Sequence, residues 1–194
     1  MSEDAAAKRR ARQTLINLLL SLAATAGLVV AVVLAVPRTN ESILQPVDYV
    51  AIGQTAAEAS NRPILLPPIN ELGEGWWSNS ARWRSGSTDG VENWYVGFVG
   101  PKNEYVAITQ AFESNPTWLA QFLKLTSPTD SLTVKGFEFT VHTADEKNDP
   151  PKTKDYVLAG KIGTDDILIY GTADQTTMRK FAELVVAQIS KVYQ

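Results

Sequence analysis

Apolar and polar positions follow two different patterns along the chain. From Leu15 to Val36 no side chain is charged over 22 residues. At a rise of about 1.5 Å per residue such a helix reaches about 33 Å, enough to cross a hydrocarbon layer of about 30 Å. Asn17, Ser21 and Thr25 are its polar interruptions, and a helix satisfies its own backbone hydrogen bonds in lipid. "PRTNESILQP" (37–46) has turn formers and no period, and reads as a short stalk. "VDYVAIGQTAAEAS" (47–60) predicts a helix that Gly53 weakens, and "RPILLPPINELGEG" holds too many prolines for regular structure.

From Trp76 the period becomes two, which predicts strands. The runs are Trp76 to Arg84, Trp94 to Val99, Tyr105 to Phe112, Leu132 to Val134, Phe137 to Thr143, Tyr156 to Ile162 and Ile167 to Gly171. The connectors "GPKN", "KG" and "GTDD" suit hairpins, so neighbouring strands are expected to be antiparallel. Two helical stripes interrupt them: Trp118, Leu119, Phe122 and Leu123 within 115–125, and Met178, Phe181, Val185, Ile189 and Val192 within 174–193, with Asp174 as the expected N-cap. The prediction is an α+β domain with helices packed on an antiparallel sheet.

Alternation in the first strand sends Trp77, Asn79, Ala81 and Trp83 to one face and Trp76, Ser78, Ser80, Arg82 and Arg84 to the other. Trp94, Val96 and Phe98 form a matching apolar row, which assigns Trp77, Trp83 and Trp94 to the core. Trp76 has two readings. It packs under a loop or helix, or it stands in solvent beside Arg82 and Arg84, where an indole and two guanidinium groups form a ligand or partner surface.

Charge adds location. Lys8, Arg9, Arg10 and Arg12 crowd the N-terminal flank of the apolar span, whereas Arg38 stands alone among basic residues just beyond its other end. That asymmetry places the N-terminus in the cytoplasm and the C-terminal part outside. The expected organisation is a cytoplasmic tail (1–14), a membrane span (15–36), a stalk (37–46) and one extracytoplasmic domain (47–194). A cleaved signal peptide competes, with Val33-Leu34-Ala35 as the cleavage site, but the apolar run is longer than the roughly 7–15 residues of a signal core. No cysteine is present, which excludes a lipid-modified cysteine and disulfides. Residues 37–194 hold fourteen basic and nineteen acidic side chains, a net of −5, which does not suit nucleic acid.

Catalytic signatures are missing: no G-x-S-x-G, S-x-x-K, H-E-x-x-H or P-loop occurs. The single histidine, His142, falls on the polar face of its strand beside Glu138, and is read as a lone surface imidazole. No metal site is expected, because zinc wants several nitrogen or sulfur ligands. "DEKNDPPKTKD" (145–155) mixes Asp145, Glu146, Asp149 and Asp155 with three lysines and reads as a solvated loop, and "GTDD" as a turn. "NES" (40–42) has the form of a glycosylation sequon.

"GWWSNSARW", "NWYVGFVGPKNEYVAITQ", "NPTWL" and "YGTADQTTMRKFAELV" resemble the actinobacterial single-pass membrane proteins grouped as domain of unknown function 4245. The resemblance spans most of residues 46–190 and the anchor. It implies one N-terminal anchor and an exported domain, and it supplies no catalytic residues. The order of strands and helices is also similar to PsbP-like α/β/α sandwiches, an analogy of fold from which no function follows.

The expectation is a non-catalytic membrane protein without cofactor, serving as accessory or assembly partner of a membrane or envelope complex, its partners being the bilayer and another envelope protein. The alternative is a binding module for cell-wall glycan or a small ligand, using Trp76, Arg82 and Arg84. An enzyme of unrecognised type is the lesser alternative. Within the span, Ala23, Gly27, Ala31 and Ala35 recur every four residues and form a ridge of small side chains, a helix–helix seam in the lipid.

Overall fold

In a computed structural model of the protein the described residues are 3–35, 45–86, 88–148, 150 and 152–193. They form two compact units, 1–43 and 44–194. The first is one helix, α1 (Glu3–Ala35), within which Arg12–Ala35 is long and apolar enough to cross a membrane. The helix starts well before the apolar run because Ala, Lys, Arg and Glu are all strong helix formers. Residues 1–2 of the expected tail, Val36 of the expected span and 37–44 of the expected stalk lie outside the described residues.

The second unit begins where Val47 N donates to Ser78 O (2.8 Å). Helix α2 (Tyr49–Ser60) is capped by Asp48, whose carboxylate accepts from Ala51 N, and stops at Asn61 in the left-handed conformation. Gly53, expected to weaken this helix, is buried, and a Cβ there would press on Leu66 and come within 3.3 Å of the Trp94 ring. Its missing side chain is what lets α2 lie against the core. The proline-rich run leads through a short 3₁₀ turn (Ile69–Leu72) into the strands.

Seven strands follow: β1 (Trp77–Ser85), β2 (Glu92–Val99), β3 (Tyr105–Ala111), β4 (Thr126–Val134), β5 (Phe137–Ala144), β6 (Tyr156–Ile162) and β7 (Asp165–Gly171). They make one antiparallel sheet in the order β1-β2-β3-β7-β6-β5-β4. Helix α3 (Pro116–Phe122) separates β3 from β4, and α4 (Gln175–Val192) closes the chain. Asp174 is the N-cap of α4, accepting from Thr177 N at 2.9 Å, and that contact holds its carboxyl below the usual range.

Period two divides the sheet into two faces. Trp94, Val96, Phe98, Ile108, Ile167, Ile169, Leu158 and Phe139 point to the core face. There they meet Met178, Phe181, Ala182, Val185 and Ile189, one stripe of α4 at helical spacing. Each such large side chain contributes about 1.5–3 kcal/mol by leaving water. A polar cluster sits among them: Gln110, fully buried, accepts from Leu65 N (3.0 Å) and donates to Pro63 O and the Tyr193 hydroxyl (2.6 Å each). Tyr193 in turn donates to Asp165 (2.9 Å), which ties the end of α4 to the sheet.

Three sequence expectations need correction. A bulge between Ser78 and Ser80 shifts the register of β1 by one residue, and one added residue exchanges the faces of everything before it. Trp76 therefore packs on the core, whereas Trp77, expected in the core, lies opposite Val99 on the other face. Strand β4 starts at Thr126, six residues before the predicted Leu132, because the turn-like "SPTDS" runs along the sheet edge, where Pro128 and a bulge are tolerated. Helix α3 ends at Phe122 rather than at residue 125, since Leu125 takes a positive φ of 69° before β4 begins.

Candidate functional site

Among the described residues of the second unit, one helix, α3, of seven residues, lies on the face of the sheet turned away from α4. Ala107, Val157 and Tyr170 are buried beneath Phe122 and Leu123. At the β1–β2–β3 end of this face a cleft of about 550 Å³ opens.

Register sets the floor of the cleft. Arg82 lies opposite Tyr95, which lies opposite Thr109, and Arg84 lies opposite Asn93. The Arg82 guanidinium stands 4.5 Å from the centre of the Tyr95 ring, a cation–π contact that holds an exposed side chain against the sheet. The Tyr95 and Tyr105 hydroxyls are hydrogen-bonded to each other. A Cβ at Gly97 would collide with both, so a larger residue there would displace the hydroxyl pair. The Tyr170 hydroxyl shares a hydrogen bond with Thr109 (3.1 Å).

The wall comes from α3 and two loops. Asn115 caps α3 by accepting from Trp118 N (2.9 Å). Trp118 stacks on Phe122 (5.5 Å between centroids, 28° between planes), and Phe122 meets Tyr170 edge-on at 5.2 Å. Trp118 donates from Nε1 to Asp89 (3.1 Å), whose other oxygen accepts from Val91 N (3.2 Å). Lys154 places its ammonium 3.5 Å from the Phe122 ring centre and donates to Phe122 O at 3.3 Å.

The cleft is a cationic spot on an acidic domain. Three basic side chains, Arg82, Arg84 and Lys154, face one carboxylate, Asp89. Among the described residues none of the three basic groups forms an ion pair. Burial lowers the pKa of Lys154 and pushes Tyr170 up to about 12 and Tyr105 higher still, with the charge of Arg82 opposing part of both tyrosine shifts. The two hydroxyls are thus neutral at physiological pH and able to donate.

Of the surface expected from sequence, Arg82 and Arg84 line the cleft and Trp76 does not. Its ring packs on the core beside Gly100, where a Cβ would stand 2.7 Å from it. Tyr95, Tyr105, Tyr170, Trp118 and Lys154 were not singled out as site residues. One signal for them lies in β2 and β3, where Tyr95, Gly97, Tyr105, Ala107 and Thr109 form a face of hydroxyls and small residues.

The remaining candidates fall elsewhere. His142 lies opposite Pro128 and Val157, its Nδ1 buried without a partner and its pKa lowered by burial. Asp145 accepts from Ser127, and Asp155 from Asn148 and Lys152 N, so both carboxylates order the loop between β5 and β6, while Asp149 lies outside the described residues. Asp165 and Asp166 are buried strand residues, holding Glu113 N and Ser114 as well as Tyr193. Among the described residues no three His, Cys, Asp or Glu side chains gather in a way that could hold a metal. Ala23, Gly27, Ala31 and Ala35 lie exposed on α1, and nothing stands within 4 Å of the position a Cβ would take at Gly27.

No curated protein and no solved structure matches the chain. A family model does match, over residues 10–185, from the basic flank of α1 into the last helix. The chain belongs to the family described as "Protein of unknown function (DUF4245)".

Proposed function

We propose that this protein is a non-catalytic accessory module of the cell envelope, held at the outer face of the cytoplasmic membrane by α1, and that it works by binding a ligand in the cleft. The observation that carries this reading is the cleft on the sheet face turned away from α4, where cations, neutral hydroxyls and aromatic rings line one concavity. Concave sites of about 300–1,000 Å³ with a few converging polar groups are the usual form of small-ligand sites. The cleft's carboxylate, Asp89, is engaged by Trp118 and Val91, and its buried tyrosines hold their protons, which favours binding over bond breaking.

A photo-activatable residue in place of Gln121, exposed at the cleft, is expected to capture one discrete adduct in intact cells. The same residue in place of Lys180, exposed on α4, is expected to capture none. Capture from Lys180 alone would move the working surface to α4 and make assembly with another protein the function.

The orientation rests on the four basic residues ahead of the span, and retention of the helix on the length of its apolar run. Since the chain has no cysteine, single cysteines at Ser2 and Thr88 report on both. Cysteine at Thr88 is expected to react with a membrane-impermeant maleimide in intact cells, and cysteine at Ser2 only after lysis. Labelling of both without lysis would overturn the orientation.

A further inference from the structure

We infer that the ligand of the cleft is a phosphorylated sugar, its phosphate held by Arg82, Arg84 and Lys154 and its ring lying against the Trp118 wall. This rests on the binding reading above and names the chemistry of the same site.

Charge selects the phosphate. Three cations against one carboxylate leave the lining two charges positive, which matches a phosphate monoester of about −1.5 to −2 near neutral pH and exceeds what one carboxylate offsets. Arginine forks grip phosphate oxygens in pairs, and lysine adds a compact point charge. Lys154 reaches the cleft across the face of Phe122, and burial already disfavours its charge, so an incoming dianion restores what the apolar surroundings oppose. Each of the hydroxyl pairs Tyr95–Tyr105 and Thr109–Tyr170 uses one proton internally and leaves one, a donor that carries no charge of its own.

The remaining lining selects the sugar. Asn79, Asn93, Thr109, Gln121 and Thr153 bring amides and hydroxyls to the same concavity, a set suited to a polyol. The apolar part is limited to ring faces, with Trp118 backed by Phe122 and fixed by its bond to Asp89. A rigid, half-buried indole suits the flat face of a sugar, whereas a hydrocarbon tail would strand these polar groups without partners.

The test is titration calorimetry on the full chain in non-ionic detergent, with glucose 6-phosphate as probe and glucose, glucuronate and inorganic phosphate as comparisons. Glucose 6-phosphate is expected to bind at least about tenfold more tightly than any of the three. Arg82→Gln and Arg84→Gln, both at exposed positions, should each weaken it about tenfold or more, with the melting temperature unchanged. Lys154→Gln should act in the same direction, and Lys180→Gln on α4 should have no effect. Absence of glucose 6-phosphate binding overturns the inference, as does equal affinity for glucose or glucuronate, or equal affinity of the two arginine variants and the wild type. If an adduct still forms at Gln121 in cells, the binding reading survives such a result and the ligand class falls; if none forms there either, both fall.

Discussion

Replacing Trp94 with alanine is expected to destabilise the domain by about 4 kcal/mol, as large-to-small changes of buried aromatics do. Trp94 is fully buried and lies opposite Trp83 across the β1–β2 pair. Its indole donates to Leu65 O at 3.0 Å and packs against α2 at Gly53. Truncation removes the ring that fills the space between sheet, helix and proline-rich segment, and leaves the Leu65 carbonyl without its donor. Trp94→Phe separates the two effects, because it keeps most of the burial and loses the hydrogen bond, which alone is worth about 1 kcal/mol. The measurement is denaturant unfolding of the full chain in detergent, followed by circular dichroism. A cost for Trp94→Ala below about 1 kcal/mol would mean that the three elements are not joined through this ring.

The second large effect is alkaline. Tyr170 is pushed up to about 12 from an ordinary value of 10.0 by burial, and Tyr105 and Tyr193 are raised further by the same cause. When the folded state holds a proton more tightly than the unfolded state, ionisation favours unfolding. The stabilisation is therefore fully present below pH 10 and lost as pH rises from there towards the folded values. For Tyr170 alone the shift of about two units corresponds to roughly 2–3 kcal/mol. Absorbance of phenolate against pH, recorded with circular dichroism, is expected to show Tyr105, Tyr170 and Tyr193 ionising only as structure is lost above pH 10. Ionisation of these tyrosines around pH 10 with the spectrum of the fold intact would refute this account.

What sequence reading captured follows from which signals are local. The hairpin β2–β3, the pair β6–β7 and the stripe of α4 with its Asp174 cap each depend on residues a few positions apart, and they appear within two residues of where expected, β7 taking in Asp165 and Asp166 from the expected turn. The faces of Trp76 and Trp77 were exchanged because a bulge has no local signature in "SNSAR": nothing in the identities of Ser78, Asn79 and Ser80 marks which of them is the added residue. Arg82 and Arg84 escaped the error because they lie beyond the bulge, in step with the Trp83–Trp94 pair. The start of β4 was missed because alternation begins only at Leu132, whereas an edge strand also accommodates Pro128 and polar residues on both faces. The cleft was half legible. Its arginines stand out by charge, but a tyrosine at strand spacing reads as packing. Lys154 and Asp89 come from loops, and nothing in the loops' own sequence shows that each meets α3 at the cleft, Lys154 at Phe122 O and Asp89 at Trp118 Nε1.

The two bulges sit on the two outermost strands, β1 and β4. An open sheet offers unpaired backbone at both ends, and proteins confined to a surface meet one another at far higher effective concentration than free ones, which favours stacking into a continuous ribbon. A local twist at 78–80 on one end, and a proline with a second twist at 128–130 on the other, spoil the straight ladder that such stacking needs. Both ends of the sheet are therefore poor templates for strand addition by another chain.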